Sequence, residues 1–285
     1  MSEVLLGTLA TGFFTNVKDI AAFPFATSRI LFWCVLAVLI GACAFTFSSA
    51  SVRALFRREL NAYFFSPVAY VVLTVFVFIS SILFFLHVTK GRLNDVGPIT
   101  GTMTFLMIFI CPIITMRLFS EEMRSGTIEV LMTAPITDVQ VVLAKYFASL
   151  VFYTFLFVPS LAYPLVLCWL GSPDAGVVLS CYICALLVGA VYLAVGLLMS
   201  SLAKSQIVAA VAGIVFLLLF YLVGIFAESG TDWAHHTLQY LSLVEHQESL
   251  IRGIVDSRDL VFFVTFAIFF LFLTVRSVES RKWRL

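Results

Sequence analysis

The residues with the types and spacing for chemistry are few, and most are poorly placed for it. His235, His236 and His246 share one segment and suggest a metal. Their spacing brings no carboxylate or thiolate set with ligand geometry, and adjacent histidines on a helix point to different faces. No metal site is expected. Cys181 and Cys184 form a C-x-x-C pair, but it falls in an apolar stretch expected near mid-membrane, a placement that argues against redox or zinc work. No Gly-Lys dipeptide occurs anywhere, so the phosphate loop G-x-x-x-x-G-K-[ST] is absent. The apolar stretches hold no paired carboxylates and no H-E-x-x-H, and His87, at an outer end, is their only histidine. A polytopic membrane enzyme therefore has no support.

The surroundings of these residues set the class of protein. Of 285 residues, 62% are hydrophobic and 12% charged, and the mean hydropathy is +1.09. Soluble domains carry about 25% charged residues, so this chain is solvated mainly by lipid. A net charge of +1 gives no field that would draw nucleic acid. The 6 cysteines all lie in apolar stretches, which fits buried reduced thiols better than a disulfide framework.

Charge-free intervals mark the spans. They run 30–52, 60–89, 96–116, 146–173, 175–203, 205–227 and 260–275. A hydrocarbon core about 30 Å thick needs about 20 helical residues. All but the last interval meet that length, and Arg276 is expected to snorkel from the end of the last. Backbone in lipid must satisfy its own hydrogen bonds, so the spans are helices, placed near 30–49, 67–87, 99–116, 141–168, 177–199, 207–227 and 260–276. The first could pass for a signal-peptide region, but its flanks favour an uncleaved extra anchor. Placing 50–66 in the cytoplasm puts 11 of the 17 Lys and Arg residues inside and 6 outside. The positive-inside rule then sets a cytoplasmic C-terminus and, with seven spans, an outer N-terminus.

Two segments between spans carry more than boundary charge. Residues 51–66 suit a helix in the membrane interface, with Val52, Leu55, Phe56, Leu60 and Tyr63 on one face and Arg57, Arg58 and Asn61 on the other. Glu59 projects into the apolar face without a basic neighbour one turn away. Either Arg117 supplies its cation from another segment, or the carboxylate snorkels to water. In the stretch 117–140, Arg117, Glu121, Glu122, Arg124 and Glu129 crowd together. Gly126 is expected to break the helix leaving the membrane, Thr127 to cap a short one and Pro135 to end it. Thr137 with Gln140 forms a capping box for the next span. Such a helix can be a plainly capped loop. Its exposed Ile128, Val130, Leu131 and Met132 favour a docking knob for a soluble partner.

The residues from Arg57-Glu59 through Ser66-Pro67-Val68-Ala69-Tyr70 resemble the start of a type-2 ATP-binding-cassette (ABC) permease, closest to the gliding-motility and nitrous-oxide-reductase-accessory branch. Met116-Arg117-Leu118-Phe119-Ser120-Glu121-Glu122 and Gly126-Thr127-Ile128-Glu129-Val130-Leu131, ending Ala134-Pro135, are similar to that family's signature between its second and third helices. Ser200-Ser201-Leu202, Gln206-Ile207-Val208-Ala209, His246, Arg252-Gly253-Ile254-Val255-Asp256 and Arg281-Lys282-Trp283-Arg284 follow in order. The resemblance implies an all-α polytopic fold of the inner membrane, a six-helix type-2 permease core over 51–285 preceded by an extra helix within 1–50. It implies a connecting helix at 51–66 carrying Arg57, Arg58 and Glu59. A coupling helix at 127–134 would act with Glu121, Glu122, Arg124, Thr127, Ile128, Glu129, Val130 and Leu131. It further implies a second permease copy or homologue, surrounding lipid, and cytosolic ATPase subunits that would carry the ATP and Mg. No cofactor is expected on this chain.

The outer segment 228–258 is too long for an idle connection. Ser242 with Glu245 makes a capping box, and Leu238, Leu241, Val244, Leu250 and Ile251 suggest helices lying against the membrane. In the resembled family such segments are re-entrant and gate the outer exit, which would make Leu238, Leu241, Glu245 and Leu250 gate residues. A packed outer cap without gating is the alternative. Pro112, Pro159 and Pro164 interrupt spans, either as kinks near a pathway or as lipid-facing bends. Two functions fit: a transport subunit driven by a separate ATPase, or an ATPase-driven anchor for mechanical or assembly work.

Overall fold

The structure is a computed structural model that describes residues 50–91, 96–127, 136–171, 173–228 and 242–282. Most of those residues are helical, with no strand among them. Helix α1 (Ala50–Phe64) buries Val52, Leu55, Glu59 and Tyr63 and exposes Arg57, Arg58 and Asn61, the two faces expected of it. Ser66 ends the turn after it, and Pro67 opens α2 (Pro67–Thr89), where its missing N–H costs nothing. Helix α3 (Gly97–Thr115) meets α4 (Arg117–Ser125) at Met116, and the pair form one span, Gly97–Ser125. This span therefore runs well past the end expected near 116. Gly126, at φ 73°, stops α4 in the left-handed cap that glycine tolerates best.

The capping box at Thr137 and Gln140 forms as expected and starts α5 (Asp138–Phe157). Pro159 and Pro164 then break the regular ladder. A 3₁₀ turn at Pro159–Leu161 joins α5 to α6 (Ala162–Leu170), and both belong to the span Asp138–Leu170. Helices α7 (Ala175–Leu202), α8 (Gln206–Glu228) and α10 (Ser257–Lys282) supply three further spans. Between α8 and α10 lies the short α9 (Leu243–Ile251), capped by the Ser242 hydroxyl as expected. Among the described residues, six helices are thus long and apolar enough to cross a membrane. The additional helix expected at 30–49 lies outside the described residues, as do Ile128–Pro135 and residues 229–241.

Helix α7 is the spine. It packs against α3, α4, α5, α8, α9 and α10, and small residues permit the approach. A Cβ on Gly189 would sit 2.0 Å from the ring of Tyr153, whose hydroxyl donates to the Ala185 carbonyl at 2.7 Å. Gly196 similarly admits Thr115, and Gly213 of α8 admits the Pro112 ring. Close helix contact through small residues is how membrane bundles gain packing when lipid provides no hydrophobic drive between helices. Pro112 is thus a packed interior residue at 3-to-4 spacing from the helix joint, and not a lipid-facing bend. The outer faces of the bundle are different. Along α2, Val68, Val71, Val75, Phe78, Ile82 and Phe85 stand exposed in one stripe. Along α8, Ile207, Val208, Val211, Val215 and Leu219 do the same.

Candidate functional site

At the end of the bundle where α1 packs on α5, the sequence left one carboxylate in search of a cation. Glu59 finds it in Lys145, with Lys145 Nζ to Glu59 Oε1 at 3.1 Å. Arg117, the expected partner, is instead placed over the ring of Tyr63, its Cζ 4.4 Å from the centroid. The reason is register. Lys145 lies two turns inside α5, facing the buried side of α1, and reaches the carboxylate from within the core. Glu59 also has a nearer neighbour than helix spacing suggested, since Arg58 Nη2 lies 3.6 Å away.

Lys145 uses all the donors an ammonium has. Besides Glu59, it donates to Glu122 Oε1 at 2.8 Å and to the Leu118 carbonyl at 2.8 Å. Its side chain is 1% exposed, against 10% for Glu59 and 9% for Glu122. Arg58 closes the cluster from the surface, its Nη2 3.1 Å from Glu122 Oε1. Two cations and two carboxylates therefore balance, as buried charge requires. The cluster ties three elements: α1, α4 and α5. The Lys145 ammonium also lies 5.3 Å from the Phe119 ring centroid.

A second tie holds α4 from the other side. Ser200 of α7 accepts hydrogen bonds from the backbone N–H groups of Phe119 and Ser120 at 3.1 and 3.3 Å, and donates to the Met116 carbonyl at 2.9 Å. The first turn of a helix leaves N–H groups without partners. Here a hydroxyl from another helix supplies the cap that sequence-adjacent Met116 cannot. Neighbouring Ser201 donates to Ser277 of α10 at 3.0 Å, which brings α10 to the same level. Tyr63 donates its hydroxyl to the Ile114 carbonyl at 3.0 Å. Burial pushes its pKa well above the usual phenol range, an effect Arg117 partly offsets, so it remains a neutral donor.

The residues expected to act on a soluble partner divide. Glu121, Arg124 and Thr127 are exposed around the end of α4. Glu122 is not a surface residue: it is buried within the cluster, because its helix position faces Lys145. Arg57 is exposed on α1. Ile128, Glu129, Val130 and Leu131 lie outside the described residues. At the opposite end, Glu245 is exposed in the first turn of α9, whereas Leu250 is fully buried. Leu238 and Leu241 fall outside the description. Helix α9 is clamped. Ser180 donates to the Leu250 carbonyl at 2.6 Å, and the thiols of Cys181 and Cys184 reach the Ile251 and Gln247 carbonyls at 3.5 and 3.8 Å. The C-x-x-C spacing thus presents both thiols to α9. His246 places Nδ1 2.6 Å from Asp259 Oδ1 of α10 and stacks on Phe262. Among the described residues no group of three or more metal-capable side chains forms.

Lys145 and Ser200 are the two residues of this site that the sequence reading does not single out. For Lys145 a signal exists, because a lone lysine between apolar neighbours two turns inside a capped helix implies a buried partner. Ser200 had no local signal, because its partners are 80 or more residues away.

Six described helices long and apolar enough to cross a membrane, with α1 pinned to the end of the second span and the start of the third, describe a polytopic membrane protein. A profile described as ABC-2 family transporter protein matches residues 37–278. The chain belongs to that family and is a membrane-embedded ABC transporter component. The match begins inside the segment expected to form the additional helix. No curated protein matches the chain significantly.

Proposed function

We propose that this chain is the permease through which ATP hydrolysis on separate cytosolic ATPase subunits drives a substrate, in the export direction, across the inner membrane. The α1 end of the bundle faces the cytoplasm in this reading. The observation that carries it is the buried Lys145 cluster, which joins the interfacial helix, the end of the second span and the start of the third. The last two flank the segment 127–134, where the docking helix is expected, and α1 is tied to both. A push on that segment would therefore move α1, α4 and α5 together, and a two-state bundle could be biased from below. Within the family, the motif around Ser66-Pro67-Val68-Ala69-Tyr70 favours the gliding-motility and nitrous-oxide-accessory branch.

Docking is tested by Glu129→Arg and by Leu131→Asp. Each should abolish co-purification of the ATPase while leaving membrane insertion of the permease intact. Pull-down yields equal to those of the unaltered chain would refute the assignment.

A further inference from the structure

Arg117 is a charge at this end of the bundle that the Lys145 cluster leaves out. Its guanidinium lies over Tyr63, yet its Nη2 is buried and has no hydrogen-bond partner. Beside it is a cavity of about 210 Å³, far more than the ~10–15 Å³ that one water needs. Its walls mix two chemistries. Val72, Ile113 and Phe152 are apolar, while Ser66, Gln206 and Glu121 bring a hydroxyl, an amide and a carboxylate.

Glu121 follows Arg117 by one turn of α4, so their Cβ atoms are about 5–6 Å apart on one helix face. Both line the cavity, and no ion pair joins them. A cation and an anion held side by side and unpaired are complementary to a zwitterion. The cavity also lies where the exposed stripes of α2 and α8 begin. Val68 lines it at 51% exposure, and Ile207, beside Gln206, is 73% exposed. A ligand here would have its polar end at Arg117 and its apolar end along those stripes.

We propose that this cavity binds the headgroup of an amine-bearing phospholipid such as phosphatidylethanolamine. The phosphate takes the free donor of Arg117 in a charge-assisted hydrogen bond. The ammonium, one two-carbon link away, donates to Glu121. The acyl chains run up the apolar stripes. A headgroup with only negative charge would meet the Glu121 carboxylate unfavourably. A quaternary ammonium has no N–H to donate to it. The site depends on the chain being embedded in lipid and not on ATPase coupling.

Native mass spectrometry of the delipidated full chain, titrated with phosphatidylethanolamine, phosphatidylcholine, phosphatidylglycerol and inorganic phosphate, tests the site. Phosphatidylethanolamine should bind about tenfold more tightly than the other two lipids, and Arg117→Ala should lose about that factor, the scale of one charge-assisted contact. Glu121→Gln should erase the preference among the lipids while retaining binding. Val72→Trp, which fills the cavity and leaves both charges, should block all three, and it decides the matter should Arg117→Ala fail to fold. Equal binding by Arg117→Ala or Val72→Trp and the unaltered chain would overturn the proposal. So would displacement by inorganic phosphate, which would make this a free-phosphate site. Lipid carried by the monomer but excluded from a dimer would also overturn it, because a second copy would then cover the opening.

Discussion

An ammonium buried away from water loses several kcal/mol of hydration, and only good geometry restores it. Lys145 has that geometry, with three acceptors from three directions. Removing one member of such a cluster is worse than never having had it, since the charges left behind stay buried. Lys145→Met should therefore lower stability by about 3–5 kcal/mol, read as an earlier thermal transition in detergent, because Glu59 and Glu122 would face each other with only the exposed Arg58 to offset them. The triple variant Lys145→Met with Glu59→Gln and Glu122→Gln should recover much of the loss. A triple variant no more stable than the single would show that charge balance is not what the cluster provides. Arg58→Ala should matter far less, since that side chain is 64% exposed and surface pairs contribute about 0–1 kcal/mol. The need of Glu59 for a cation was visible in sequence, from its place on an apolar helix face. The identity of that cation was not, because the chain separates the two by 86 residues and helix periodicity carries no information over that span.

At the scale of elements, the physics that was local was readable, and the physics that depended on packing was not. Charge-free length located every described span, the capping box at Thr137 formed where the residue spacing put it, and the Ser242 hydroxyl capped α9 on Glu245 N–H. That the helix of the second span runs on to Gly126 was readable from that glycine, but Arg117, Glu121 and Glu122 look like an exit from the membrane and do not show what supports the stretch. Ser200 and Lys145 hold that stretch helical from outside it. The central place of α7 was equally hidden. Its sequence is apolar all round, which marks a buried helix without naming its neighbours. The contact of Gly189 with Tyr153 fixes the register of α7 on α5, together with the hydrogen bonds from Tyr153 to Ala185 and from Tyr146 to Ala190. Gly189→Ala should force these helices apart at a cost of about 1–3 kcal/mol of overpacking, seen as a lower detergent melting temperature. Adding Tyr153→Leu, which removes the atoms a Cβ would strike, should restore part of it. Melting that Gly189→Ala leaves unchanged would show that the two helices are not in this register.

For the whole molecule, the decisive question is which end faces the cytoplasm, and the fold turns a residue count into a geometric statement. An even number of described spans puts Ala50 and Lys282 on the same side. Side-chain contacts agree: Ser200 with Phe119, Ser201 with Ser277, and Lys145 with Glu59 all lie at one end. Ser180 with Leu250, Gln247 with Thr104, and His246 with Asp259 lie at the other. The first end holds Arg53, Arg57, Arg58, Arg117, Arg124, Lys145, Lys204 and Arg276, whereas the second holds Lys90, Arg252 and Arg258. A basic excess of that kind keeps its loops on the cytoplasmic side during insertion. Lys145 is buried within the cluster, so the exposed residues Arg53, Arg57, Arg58, Arg124 and Arg276 and the loop residue Lys204 carry the orientation. A fluorescent protein that matures only in the cytoplasm should therefore glow when fused after the last helix. Alkaline phosphatase, active only outside, should work when fused after Gly91 and fail when fused after Gly126. The opposite pattern would place the α4 end and its ion cluster outside, beyond reach of any cytosolic ATPase, and would remove the proposed function along with the orientation.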